Sequence, residues 1–176
     1  MSWLPALPGG RVREVLRAPA PGLAVPSVSV DPLDPDVVAL AADLLATQLA
    51  SPGCVGLAAT QVGETGRLFS LDVTGHPRAR TCHGRFVLAN PVVVSGSRWE
   101  KGREGCLSVP DFTGDVKRAT RLVVSGQVPG TGAAVTIETD AFEARAVQHE
   151  VDHLDGLLFL DRVAGAHALH PRRVYL

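Results

Sequence analysis

QHEVDH, residues 148–153, is the stretch on which the reading of this chain turns. An α-helix advances about 100° per residue, so His149 and His153, four positions apart, stand about 40° from each other on one face. Glu150 stands about 100° round from His149. Two imidazoles so placed can grip one metal ion, while the glutamate lies beside the ion rather than on it and can take a proton from a bound water. The bland alternative is a pair of histidines on a solvated helix. Phe142 and Ala146 oppose it, because they continue the His149/His153 stripe and mark that face as buried, where imidazoles without partners are costly.

Outward from the motif, the spacing predicts a helix over 141–154. Asp140 and Glu143 fit a capping box, and Gly156 sits where a glycine stop belongs. Asp155 reads as a solvated helix charge, and Asp152 as either that or an acceptor behind a metal ligand. Upstream, RLFSLDVT (67–74), RFVLANPVVVSG (85–96), TRLVVSG (120–126) and AVTIET (134–139) are rich in β-branched residues between turn signals and read as mostly antiparallel strands. Asp34-Pro35 opens an earlier helix over 35–50, which Ser51-Pro52-Gly53 ends. Residues 1–33, rich in Pro and Gly, form an extended lead-in with no chemical signature of its own. Downstream, GLLFLDRV (156–163) is apolar, and Pro171 interrupts the tail HALHPRRVYL (167–176).

The 176 residues suffice for one domain spanning 1–176. Seventeen basic and eighteen acidic side chains give a net charge of −1, which argues against a nucleic-acid footprint. Neither a secretory leader nor a span long enough for a bilayer is evident, so a cytoplasmic protein without a membrane partner is expected. Three cysteines at Cys54, Cys82 and Cys106 give no disulfide framework.

Two histidines leave a catalytic site short of a third protein ligand. Cys106, in GREGCLSVP (102–110), is the candidate, because Gly105 and polar neighbours suggest an irregular segment and a thiolate is a strong ligand. A lone cysteine is more often a small buried hydrophobe. Glu104 beside it is read as orienting neighbouring polar groups. In the loop GHPRARTCHGR (75–85), Cys82 reads as incidental, and His76 and His83 as solvated rather than ligating.

CVGLAATQVG (54–63), GREGCLSVP and QHEVDHLDG (148–156) resemble, in order and separation, the three signature segments of the peptide deformylases, G-x-G-L-A-A-x-Q, E-G-C-L-S and H-E-x-D-H. The likeness spans most of residues 34–163. It implies an α+β fold in which antiparallel β-sheets pack around a central helix carrying HEVDH. It implies that Cys106, His149 and His153 bind one divalent ion, iron in the cell, although the donor set also accepts Zn²⁺, Ni²⁺ or Co²⁺. It implies that Glu150 is the general acid/base and that Gln61 and the backbone N–H of Leu107 stabilise an oxyanion. Gln61 is chemically suited, being a neutral donor.

The implied reaction removes the formyl group from the formyl-methionine that begins a nascent polypeptide and releases formate. A formyl-methionyl peptide would lie extended along Val55, Gly56, Leu57 and Gly105, with its side chain in an apolar pocket near Val147 and Leu88. The expected protein is a monomer that touches the ribosome at most transiently. Cys54 departs from the pattern, standing where its first glycine belongs; a narrowed entrance or a redox-sensitive thiol is the expected consequence. Another HExxH amidase or peptidase fits the helix equally well, and formate release from formyl-Met-Ala but not acetyl-Met-Ala separates the two. A non-catalytic binding module of the same fold would lack a ligand or the base, and this chain has all four.

Overall fold

A computed structural model describes residues 6–173. The elements run α1 (Pro35–Ala50), β1 (Gly56–Ala58), β2 (Leu68–Leu71), β3 (Phe86–Cys106), β4 (Val109–Gln127), β5 (Ala134–Asp140), α2 (Ala141–Leu154) and β6 (Leu169–Pro171). The strands form an antiparallel sheet in the order β1-β2-β3-β4-β5, with β6 added on β4. This is the α+β architecture expected. No helix among the described residues is long and apolar enough to cross a membrane.

Both helix boundaries agree with the sequence reading. Asp34 caps α1 by accepting from the Asp36 N–H at 2.9 Å, and Pro35 takes the first helical position, where its missing N–H costs nothing. α2 ends in a Schellman turn: the Leu157 N–H bonds the Asp152 carbonyl, the Gly156 N–H bonds that of His153, and Gly156 has φ +77°. The expected capping box does not form. Asp140 instead accepts from the Thr81 N–H at 3.1 Å, and Glu143 is fully buried, bonded to Thr139 and His83.

The strands flanking the site are longer than the β-branched runs suggested. β3 and β4 make one long hairpin through residues 97–119, whose polar and charged side chains lack strand-like apolar alternation because much of the arm faces water. At its site end, Leu107-Ser108 turns between the paired Cys106 and Val109, with a register shift between Gly105 and Cys106. The segment expected to be irregular is therefore a bulged strand end and a tight turn, which aim Cys106 inward.

Alternation along the short central strands builds two cores. Ala58, Phe69, Leu71, Phe86 and Leu88 pack with Ala144, Val147, Val151 and Leu154 of α2. Leu57, Leu68, Val87 and Ala89, on the opposite face, pack with Val37, Ala41 and Leu44 of α1. Strands covered on both faces read as nearly unbroken apolar runs, as LFSL and FVLA do. Val147 and Leu88, proposed for a substrate pocket, are among these core side chains and do not line the cavity that holds His149 and Glu150.

The lead-in forms little regular structure but is tied down at points that matter. Arg11 and Arg13 donate their backbone N–H groups to Asp43 and Thr47 of α1. The Leu16 N–H bonds the Gln61 carbonyl at 2.7 Å, and the Ala18 N–H bonds that of Ser108 at 2.8 Å. Ser27 donates both its N–H and its hydroxyl to the Leu154 carbonyl, at 2.8 and 2.7 Å, so the segment is tied to all three signature segments. Residues 1–5, and the last three of the tail, lie outside the described residues.

A Cβ at position 156 would stand 2.8 Å from the Ala24 carbonyl oxygen, on backbone that L-residues rarely adopt. Gly156→Ala is expected to lower unfolding free energy by about 1–3 kcal/mol. Denaturant titration checks this; an unchanged midpoint would show that the turn relaxes freely.

Candidate active site

Three elements deliver the signature residues to one cavity. α2 brings His149, Glu150 and Ala146; the β3–β4 turn brings Glu104, Gly105, Cys106 and Leu107; the segment around β1 brings Cys54, Val55, Gly56 and Gln61. The cavity measures about 240 Å³. Leu57 is the exception among the expected substrate contacts: its side chain is fully buried in the α1 core and does not line the cavity. β1 is an edge strand, and beyond Ala89 β3 pairs, among the described residues, only with β4, so a strand edge without a ladder partner flanks the cavity on each side.

Cys106 Sγ and one nitrogen from each of His149 and His153 lie within 4.8 Å of one another, and Cys106 Sγ is 3.2 Å from His153 Nε2. Burial alone would raise the Cys106 thiol, but the adjacent imidazoles more than reverse this and hold it well below its usual range. Burial would likewise lower His149, yet Cys106 and Glu104 hold it well above. Thiolate and imidazole are the donor types that a soft or borderline divalent ion takes. Glu150 Oε2 is buried with no partner among the described residues, an expense that a charged or hydrated guest offsets; His153 Nδ1 is also without one, but it lies on the far side of the ring from the Nε2 that faces Cys106. The three side chains therefore fit a metal ion.

Glu150 is 3 % exposed, and burial pushes its carboxyl up to about 7. Its position depends on Gly56, where a Cβ would stand 2.6 Å from Oε1. Gln61, 2 % exposed, accepts from the Ala58 N–H through Oε1 at 3.0 Å. That bond fixes the amide so that Nε2 points at Ser108 Oγ, 3.1 Å away, and at Cys106 Sγ, 3.6 Å away.

Behind the donors runs a chain of buried charges whose members are too far apart in sequence to be connected by spacing. Glu104 accepts from His149 Nδ1 at 2.9 Å, which turns Nε2 of that ring toward Cys106. Glu104 also takes a two-pronged contact from Arg118 at 2.8 and 3.0 Å and one from Arg145 at 3.0 Å. Arg118 in turn holds Asp152, which Arg162 grips from outside at 2.8 and 3.1 Å. Burial would raise Glu104, but His149 and Arg118 hold it far below the usual carboxylate range. Arg118, Arg145 and Arg162 went unmarked because an isolated arginine carries no spacing signal. Asp152 is thereby an acceptor in this network, while Asp155 is the solvent-exposed charge expected, paired at the surface with Arg67 at 2.7 Å.

Three side-chain expectations need correction. His76 stacks on Phe142, ring centroids 3.6 Å apart, and lines the cavity. His83 Nδ1 lies 2.7 Å from the buried Glu143 carboxylate. Neither belongs to the candidate ligand group, as expected, but both are half-buried against partners rather than freely solvated. Cys54 lies at the cavity wall, its thiol donating to the Gly56 carbonyl at 3.1 Å; burial pushes it up to about 12, which disfavours the thiolate that a redox-sensitive cysteine needs.

A thiol and two imidazoles converging beside a buried carboxyl raised to about 7, in an open cavity, define a metallohydrolase type of site. The polypeptide deformylase family model matches residues 12–168, and the chain belongs to that family. Peptide deformylase 2 of Vibrio cholerae is 44 % identical over 150 residues, covering 85 % of each chain. The peptide deformylase of Dictyoglomus thermophilum is 40 % identical over 151 residues, 86 % of this chain and 92 % of its own. Among solved structures, the actinonin complex of the Ehrlichia chaffeensis peptide deformylase superposes with a TM-score of 0.81 at 30 % identity, covering 89 % of this chain and 91 % of that one. The Acinetobacter baumannii class I type b enzyme bound to Met-Ala-Ser superposes at 0.79 and 34 %, covering 87 % and 99 %.

Arg118→Met leaves Glu104 and Asp152 without their shared buried partner. It is expected to cost about 3–5 kcal/mol of stability and to weaken metal binding about 10- to 100-fold. Thermal unfolding and competition with a chelator check the two separately, and a variant as stable and as metal-tight as the parent would show that the network is decorative.

Proposed function

We propose that this deformylase removes the formyl group from formyl-methionyl peptides with Cys106, His149 and His153 holding one divalent ion, Glu150 moving the proton, and Gln61 with the Leu107 N–H receiving the oxyanion. The observation that carries the reading is the meeting of the three signature loops in one cavity, with Glu150 Oε2 buried and unpartnered there. When bound, the ion supplies Lewis acidity, easing proton loss from water and drawing charge from a carbonyl oxygen. The thiolate and two imidazoles match Fe²⁺, our proposal for the cell, and also Zn²⁺, Ni²⁺ or Co²⁺.

The protein groups divide the remaining work. A carboxyl near 7 can accept a proton from water and later return it at neutral pH, and Glu150 is held there by burial. Water oxygen attacks the formyl carbon and its proton passes to Glu150. Negative charge then grows on the formyl oxygen, where the amide of Gln61, already locked by Ala58, meets it without reorganising. Glu150 returns the proton to the departing nitrogen, the C–N bond breaks, and formate and a free α-amine leave.

The peptide lies extended between the open edges of β1 and β3, contacting Val55, Gly56 and Gly105, with Leu57 contributing backbone alone. Its first side chain enters the wall built by Phe142, Ala146 and Leu107 rather than the core positions Val147 and Leu88. The peptide seen in the Acinetobacter baumannii relative supports this class of ligand. The substrates are nascent chains in the cytoplasm, and a transient ribosome contact and a monomeric state complete the reading.

Glu150→Gln is expected to keep its metal while formate release from formyl-Met-Ala falls about 10²- to 10⁴-fold. Gln61→Ala should lower kcat by about 10²- to 10³-fold. Parent-level turnover in either variant would remove that residue from the reaction. Gly56→Ala, which presses on Glu150, should lose about a hundredfold in turnover. Metal analysis of anaerobically purified protein, assayed on the same sample, decides the ion; activity that tracks zinc rather than iron content would overturn the iron assignment.

A further inference from the structure

Four arginines line the cavity, Arg78, Arg103, Arg145 and Arg172, against two carboxylates, Glu104 and Glu150. Two of the cations are already spent. Arg145 is bound to Glu104 and to the Val116 and Glu100 carbonyls, and Arg103 donates to Asp115 at 2.7 Å. The other two have no acidic partner among the described residues. Arg78 lies with its guanidinium carbon 4.8 Å from the centre of the Phe142 ring, on the α2 wall. Arg172 arrives from the opposite side: β6 pairs with β4, the Arg172 N–H bonds the Asp111 carbonyl at 2.8 Å, and the guanidinium comes to rest over Gly105, where any Cβ would collide with it. A backbone anchor and a stacked ring thus place two uncompensated guanidiniums on the cavity wall, Arg172 over the residue next to Cys106 and Arg78 over Phe142.

We infer that Arg172 and Arg78 make this enzyme select peptides that carry a carboxylate within the first few residues behind the formylated one. This rests on the deformylase reading of the cavity. An extended peptide advances about 3.3 Å per residue, so the side chains of the second and third residues fall beside groups flanking the reacting centre. A guanidinium matches a carboxylate with two parallel N–H bonds, and a lysine in the same place would meet like charge. Because both arginines are partly solvated, the preference is modest and sensitive to salt.

The test compares the C-terminal amides of formyl-Met-Ala-Glu, formyl-Met-Ala-Ser and formyl-Met-Ala-Lys with the metal-loaded enzyme, so that the Glu side chain is the only carboxylate. At low ionic strength kcat/KM for the Glu peptide is expected to exceed that for the Ser peptide by about fivefold, with the Lys peptide lowest. Arg172→Gln with Arg78→Gln should bring the Glu/Ser ratio to near one, and Arg172→Glu should favour Lys. Each ratio is taken within one variant, so a general loss of activity cancels. Calorimetric binding of the amides Met-Ala-Glu-NH2 and Met-Ala-Ser-NH2 to the metal-loaded enzyme gives the ratio without turnover. Equal ratios in the parent, or a preference that survives the double substitution, would overturn the proposal. An enzyme that binds the Glu peptide better yet releases no formate would overturn the deformylase reading and leave the arginine selection standing.

Discussion

Glu104 accepts from His149 on one side and from Arg118 and Arg145 on the other, all with little access to water. A carboxylate buried alone would cost several kcal/mol, so its position is tolerable only while these partners remain. The partners come from β4 and α2, and Arg118 passes the constraint to Asp152 and so to Arg162. One network therefore locks the long hairpin against the helix and, through Nδ1, sets which nitrogen of His149 faces the cavity. The chemistry at Cys106 depends on this packing of charges more than on any apolar contact nearby.

The second constraint is space. Gly56 gives Glu150 room against the backbone of the edge strand, and Gly102 gives Arg145 room against the hairpin. In both places a long functional side chain occupies the volume that a Cβ would take. The lead-in works in the same direction, since its bonds to the Gln61 and Ser108 carbonyls hold two loops whose side chains bond each other. The site is preorganised by backbone ties and glycine gaps, the condition under which a fixed donor such as Gln61 is worth most to a transition state.

How far the chain could be read without coordinates varied with the kind of signal. Helix α2 and the relation of His149, Glu150 and His153 follow from the 3.6-residue period, and α1 from Asp34-Pro35 and its apolar spacing, because both are local. The hairpin arm over 97–119 was missed because its solvated face carries no apolar alternation, and pairing rather than composition made it strand. His83 and Glu143 are 60 positions apart, and Arg118 and Asp152 are 34 apart. Such pairs leave no trace at short range.

By itself the sequence determined the two helices, the order of the three signature segments and the identity of the donors, since each depends on neighbours within a turn or on the chemistry of one side chain. Tertiary structure alone decided that Val147 and Leu88 face a core, that Leu57 is hidden, that His76 stacks in the cavity wall, and that Arg172 overlies Gly105. The physical reason is that a side chain's surroundings are set by strand register and by which sheet face each helix covers. Those are settled only when the apolar faces and buried charges of distant segments are satisfied together.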